Sequence, residues 1–234
     1  VPCVFEGSDK RTIKISSRFH EGREVNISKI IQESVRVGKG VERSCYVHKD
    51  YPGKVFKVSE EAESRQSQRE IAYFKSLKRK KVPFTYLPDF YGSFRQDGKV
   101  VIIQQKIAGK GGNQKIGGMT FAKYIRDAPD AELLKQRYSE LQNYIDELES
   151  YLTRFNILLT DVNPYNLVLI SEGDKKKFYI VDGLGCTEFI PLSDFFPFLG
   201  RRKIKRYMAR LRKKVEIYFL ETAASLGVRK EKVS

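Results

Sequence analysis

The stretch Thr160-Asp161-Val162-Asn163-Pro164-Tyr165-Asn166 leads into the apolar run Leu167-Val168-Leu169-Ile170, and a second run, Phe178-Tyr179-Ile180-Val181, ends in Asp182-Gly183. Both runs are rich in β-branched and aromatic residues, and the polar Glu172-Gly173-Asp174-Lys175 between them predicts a β-hairpin. Asp161 stands five residues before Asn166, and Asp182 twenty-one after Asp161. A hairpin of this kind gathers two carboxylates and a carboxamide at one end. Hard oxygen ligands of that type suit Mg2+, which prefers oxygen and keeps its waters beside nucleotide phosphates.

Working upstream, Val35-Arg36-Val37 runs into Gly38-Lys39-Gly40, Cys45-Tyr46-Val47 follows, and Tyr51-Pro52-Gly53 precedes Lys54-Val55-Phe56-Lys57-Val58. Three antiparallel strands are expected, separated by a glycine turn and a Pro-Gly turn. From about Ser59 to Leu77 the pattern becomes helical, with Ile71, Phe74 and Leu77 on one face and Glu70 one residue before that row. Pro83 and Pro88 break the chain. Residues 90–94 and 100–103 then read as a hairpin turned at Gln96-Asp97-Gly98-Lys99. Ahead of all these, residues 11–15 and 24–28 alternate about Gly22 and predict strand and turn; no function attaches to residues 1–24.

Gly109, Gly111, Gly112, Gly117 and Gly118 mark residues 109–118 as a linker. Beyond it, Leu134, Tyr138, Leu141, Ile145, Leu148, Leu152 and Phe155 recur every three or four residues, predicting a long amphipathic helix that ends at Asn156. The expected protein is therefore α+β. Residues 25–108 form a lobe of antiparallel sheet plus one helix, and residues 119–234 a reduced, mostly helical lobe. No internal repeat is visible.

The 234 residues suit one compact domain or two small lobes, and no apolar run reaches the roughly 18 residues of a membrane span. Val1-Pro2-Cys3-Val4-Phe5-Glu6 lacks the pattern of a secretory signal, which points to a cytoplasmic protein. Cys3, Cys45 and Cys186 are odd in number and widely spaced, so free thiols and no structural metal are expected. A net charge of +15 favours anionic partners without choosing among nucleic acid, acidic lipid and nucleotide.

Asp161 to Asn166 resembles the D-x-x-x-x-N catalytic loop of protein kinases, and Asp182-Gly183 their metal-binding triplet without its phenylalanine. Residues 38–45 are similar to the glycine-rich loop, with Arg43 in place of the third glycine and Cys45 at the valine position. Val55-Phe56-Lys57 resembles the strand of the phosphate-pairing lysine, with Glu70 as that lysine's partner. Singly, each has an ordinary structural reading: a hairpin turn, a solvated lysine, a surface glutamate, two turn aspartates. Their occurrence together, in order and each on a suitable element, favours the kinase-like one.

A closer resemblance is to the family of the PhoP regulatory network protein YrbL, bacterial proteins of kinase-like architecture, from about Glu24 to Leu220. It is carried by Cys186-Thr187-Glu188-Phe189-Ile190-Pro191-Leu192-Ser193 and the basic Leu199-Gly200-Arg201-Arg202-Lys203. The resemblance implies a two-lobed protein-kinase-like fold binding ATP and Mg2+. Gly38, Gly40, Cys45 and Val55 would surround the nucleotide. Lys57, held by Glu70, would contact its phosphates, and the backbone of Gln105 to Ile107 would bond adenine. Asn166 and Asp182 would hold Mg2+, and Asp161 would orient or deprotonate the attacking hydroxyl.

Departures shape the expected reaction. Leu159-Thr160 replaces the His-Arg pair before the catalytic aspartate, so an activation-loop phosphate finds no arginine there. Fifty-two residues follow Asp182, with no Ala-Pro-Glu motif, which leaves no room for a protein-kinase substrate platform. A small-molecule or glycan acceptor is favoured over a peptide. The alternatives are a nucleotide-binding pseudokinase that regulates a partner, or a module for anionic surfaces on a kinase scaffold. The last draws on residues 201–219, a basic amphipathic helix with nine Lys or Arg between Arg201 and Lys214, whose plainer role is packing its apolar face on the lobe.

Overall fold

The computed structural model describes residues 27–40, 42–107, 118–172, 175–185 and 196–228. They fall into two compact units. One comprises the described residues up to Ser67 together with Phe90–Gln105; the other comprises Gln68–Asp89 together with the described residues from Lys106 onward.

The first unit is an antiparallel sheet of β1 (Val35–Lys39), β2 (Arg43–Val47), β3 (Lys54–Glu60), β4 (Phe90–Gln96) and β5 (Lys99–Gln105), in the order β1-β2-β3-β5-β4. All five expected strands are present. Asp97 and Gly98 take φ of 51° and 69°, the paired left-handed conformation of a two-residue hairpin turn. The helix α1 (Ile27–Glu33) was not expected: the alternation read across residues 24–28 does not carry into Ile27 and Ser28, which are helical. Ile30 closes one sheet face, buried with Phe56, Val58, Phe94, Val101 and Ile103, and the half-buried Ile31 packs against the same cluster. Residues 11–15, Gly22 and 24–26 lie outside the described residues.

The helix expected from Ser59 starts later. Ser59 and Glu60 still pair with Val100 and Lys99, so the ladder to β5 overrides the local helical pattern until a single 3-10 turn at Glu61–Glu63. The helix α2 is Arg65–Arg79, and the division between the two units falls inside it. In the first unit its start is held by Ser59 Oγ bonded to Ser67 Oγ (2.9 Å), and by Glu42, whose carboxylate accepts the Gln66 N–H (2.9 Å).

The second unit contains a three-stranded sheet, β6 (Met119–Thr120), β7 (Leu167–Glu172) and β8 (Lys175–Ile180), of which β6 was not foreseen. Around it lie α3 (Phe121–Arg126), α4 (Ala131–Phe155) and α5 (Pro197–Ser225). Asp130 caps α4, its side chain accepting the Leu133 N–H, and Asn156 ends the helix at φ 50°. Leu134, Leu141, Ile145, Leu148 and Leu152 are buried as the periodicity required. Tyr86 stacks on Phe178 at 4.4 Å between centroids, and Phe121 meets the same ring edge-on. Gly118, the end of the expected linker, has no room for a side chain: a Cβ there would meet Val168 and the Leu169 carbonyl on β7. Residues 109–117 and 186–195 lie outside the described residues.

Candidate functional site

In the second unit the base of the β7–β8 hairpin is closed by Val181 N–H donating to the Asn166 carbonyl (2.9 Å). The chain then turns at Gly183, with φ 81°; Gly183 N–H bonds Asp182 Oδ1 (2.7 Å), and the Gly183 carbonyl accepts from Thr160 N–H (2.7 Å). A Cβ at Gly183 would collide with the Asp161 carbonyl oxygen and lie 3.3 Å from Asn166 Nδ2. Asp161, Asn166 and Asp182 thus meet around one glycine, with Asp161 exposed and the other two half-buried. Leu159, at the place of the absent histidine, is 2% exposed and bridged to Leu184.

The loop holds its shape locally. Asn163 Oδ1 accepts the Tyr165 N–H (3.1 Å) and its carbonyl accepts the Asn166 N–H (2.8 Å), forming a single 3-10 turn at Pro164–Asn166. Proline at the first position presets φ and gives up no bond, because the first N–H of such a turn has no internal partner. Three more supports were missed at the level of sequence. Lys214 Nζ on α5 donates to the Val162 carbonyl (2.9 Å). Arg126 on α3 bonds the Tyr165 hydroxyl (2.5 Å) and lies 4.1 Å from the centroid of Tyr218 on α5. Tyr73 on α2 accepts the Leu158 N–H through its hydroxyl (2.6 Å), just before the loop. Lys214 stood among the nine cations and Tyr165 inside the motif, but no local pattern marks either as a support.

In the first unit Gly38 pairs with Cys45, Cys45 with Lys57, Lys57 with Ile102 and Val55 with Gln104. Directly paired residues share a sheet face, so Gly38, Cys45, Val55 and Lys57 stand together on the face opposite α1. Lys57 is 5% exposed. Gly40 N–H bonds the Arg43 carbonyl (2.7 Å) in the turn between β1 and β2. Neither glycine is demanded by its neighbours. A Cβ at Gly38 would sit 3.8 Å from Cys45 Cβ, and one at Gly40 would be 3.6 Å from the Arg43 carbonyl, both ordinary contacts.

Glu70, in the second unit, is 2% exposed. It lies within the buried stripe of α2, with Ser67, Tyr73, Phe74 and Leu77, rather than beside it, and Ile71 is only half-buried. Buried charges at Lys57 and Glu70 require compensating charge or hydrogen bonds. The chain leaves the first unit after Gln105, and Ile107 is buried with Val168, Ile170 and Tyr179 in the second.

A further titratable cluster, Glu33, His48 and Asp50, has ligand atoms within 4.8 Å of one another in the first unit. His48 Nδ1 accepts the Asp50 N–H (3.1 Å) and Nε2 lies 3.5 Å from Glu33. Both ring nitrogens are engaged, which is the pattern of a turn cap rather than of a metal site.

The model of the family described as PhoP regulatory network protein YrbL matches residues 30–216, from within α1 past Asp161, Asn166 and Asp182 to Glu216. The chain belongs to the YrbL family. Two YrbL relatives, the uncharacterized proteins of that name from Escherichia coli K12 and Shigella flexneri, are each 22% identical over 184 residues, covering 77% of this chain and 84% of theirs. The YrbL match ends before Tyr218. Among solved structures the chain is similar to two double-mutant crystal structures of the Mycobacterium tuberculosis PknI kinase domain, at 16% and 17% identity and TM-scores of 0.45 and 0.42. In both, the match covers 64% of this chain and 60% of that kinase domain.

Proposed function

We propose that this chain is an ATP-dependent phosphotransferase acting on a non-protein or otherwise unusual hydroxyl-bearing acceptor. What supports this most is the convergence of Asp161, Asn166 and Asp182 around Gly183, since oxygen-bearing side chains held close together on a supported loop are what metal-assisted phosphoryl transfer requires. Asn166 and Asp182 form a hard-oxygen pair that suits Mg2+, which when bound neutralises charge on the transferring phosphoryl group.

In this reading Asp161, the exposed carboxylate, accepts the proton of the acceptor hydroxyl. The acceptor oxygen bonds to the γ-phosphorus, the bond from that phosphorus to the β–γ bridging oxygen breaks, and ADP leaves. Lys57 neutralises phosphate charge. Gly38 and Gly40, which no neighbour requires, leave the backbone open to close approach by the nucleotide. Thr160 stands where the phosphate-pairing arginine would, so no cation there anchors an activation-loop phosphate and the activity is not switched in that way.

The test is Mg2+-dependent ATP consumption, followed by mass spectrometry for a phosphorylated product. Loss of both in Asp182→Ala and Asp161→Asn, with folding intact, supports transfer. Unchanged consumption in Asp182→Ala rules the mechanism out. Magnesium-dependent nucleotide binding with no product from any acceptor points instead to a nucleotide-binding pseudokinase, the reading favoured by the missing His-Arg pair.

A further inference from the structure

Seen along α5, two faces differ sharply. Ile204, Met208, Leu211 and Val215 are buried on one side. Beside that stripe Lys203 is buried and Lys214 bonds the Val162 carbonyl, and at the rim of the other half Arg212 bridges Asp146 (2.6 Å) and Glu149 (2.8 Å) on α4. Three of the nine cations therefore serve the fold.

The other six, Arg201, Arg202, Lys205, Arg206, Arg210 and Lys213, are exposed, and none has an acidic partner among the described residues. At about 100° per residue they occupy one half of the helix circumference, opposite the buried stripe. Solvation of cations alone would explain such a stripe. It does not explain what flanks it. Of the seven large hydrophobics that are exposed among the described residues, Phe196, Phe198, Leu199, Ile217 and Leu220 lie on or beside this helix, and Phe198 is 73% exposed. Phe198 and Leu199 at one end, and Ile217 and Leu220 at the other, fall within the same half-circumference as the cations. The outward face thus reads apolar, cationic, apolar over about 33 Å, with Glu216 the one exposed carboxylate within it.

The geometry points to α5 as an in-plane membrane helix: the second unit docks on an anionic lipid surface, with the six cations at the headgroup phosphates and the flanking apolar side chains in the acyl boundary. The helix does not span, since no helix among the described residues is long and apolar enough to cross a membrane. Lipid is favoured over nucleic acid because a phosphate backbone rewards the cations but gives Phe198, Leu199, Ile217 and Leu220 nothing to enter. This inference does not depend on the phosphotransferase reading.

It is tested by co-sedimentation of the full chain with phosphatidylcholine vesicles, with and without 30% phosphatidylglycerol, alongside a duplex RNA of matched charge. The expected result is binding to the anionic but not the neutral vesicles, and tighter than any retention of the RNA. R202Q/R206Q should weaken it roughly 25-fold, about fivefold per cation. F198S/L199S should weaken vesicle binding at least roughly tenfold while leaving RNA retention unchanged. All four side chains are exposed, so unaltered melting curves are expected, and a shifted melt in one pair leaves the other to decide. Equal binding to neutral vesicles, vesicle binding insensitive to F198S/L199S, or tighter binding to RNA than to anionic vesicles would each overturn the proposal.

Discussion

Gly183 and Asp161 are packed so closely that a methyl group on the glycine would strike the aspartate's carbonyl oxygen, and Gly183 holds φ at 81°, where side chains are unfavourable. Backbone, rather than a flexible side-chain tip, bounds the site, so the collision has no inexpensive relief. Gly183→Ala should lower stability by roughly 2 kcal/mol or more and abolish any Mg2+-ATP thermal shift. Urea denaturation beside that thermal shift checks both, and a variant as stable as the parent would show that the loop is not set by this contact.

Lys214 reaches the Val162 carbonyl, in the middle of the loop between Asp161 and Asn166. A charge-assisted bond to a part-buried carbonyl contributes on the order of 1–2 kcal/mol. Lys214→Met keeps the apolar stem and removes the donor. Its expected signature is a fall in turnover larger than any change in nucleotide affinity, read by comparing kcat with KM for ATP. Lys213→Met, one residue away on the exposed face, should leave both unchanged.

Gly38→Ala separates folding from ligand access. The added methyl meets Cys45 Cβ at 3.8 Å, an ordinary contact, and φ is not left-handed there. Thermal denaturation should therefore move little or slightly upward. Nucleotide affinity should fall by about tenfold if the β1–β2 turn lies against phosphate, which equilibrium binding of a fluorescent ATP analogue would measure.

The pH dependence of stability should be visible in the cluster of Glu140, Tyr124 and Lys176, where Lys176 Nζ lies 2.7 Å from Glu140 Oε2 and 2.6 Å from the Tyr124 hydroxyl. Burial pushes the Glu140 carboxyl up, but hydrogen bonds from Lys176, Tyr124 and Gln136 outweigh it and hold the group below its ordinary 4.5. A depressed folded value means stability present above the unfolded value and lost as pH falls through the folded one. For Lys176 burial pulls downward, but the bonds to Glu140 and Tyr124 raise it above 10.5, so its contribution is present below that value and lost as pH rises through the folded one. Because both side chains keep contact with water, the effect is under about 1 kcal/mol. Glu140→Gln should flatten the acid limb of a stability–pH curve recorded below pH 5 and leave neutral pH nearly unaffected.

The strands and the long helices were legible in the sequence because their signal is local. Residues 100–103 form an unbroken apolar run, and Leu134 through Leu152 repeat at 3.6 residues, so burial follows from pattern. What failed was local in the same sense. Ile27 and Ser28 alternate like a strand but join a helix that closes a sheet face some thirty to seventy residues away. Ser59 reads as helical but stays in the ladder because β5 pairs with it. Glu70, read as lying beside an apolar row, belongs to the buried stripe of α2.

The candidate site divides along the same line. The sequence by itself determined the chemistry available: which carboxylates, amides and glycines exist, in what order, and on which elements. The resemblance marked Gly38, Cys45, Val55 and Lys57 as a set; the observed strand register, with its bulge between Arg36 and Gly38, put them on one face. Only the tertiary structure decided that Asp161, Asn166 and Asp182 crowd a single glycine. It likewise decided that Lys214, Arg126, Tyr218 and Tyr73, drawn from three helices, support their loop, and which of the nine cations on α5 are spent on the fold. The reason is physical: side-chain type and periodicity are properties of a few neighbouring residues, whereas convergence and support depend on contacts between residues up to about a hundred positions apart, which no local pattern encodes.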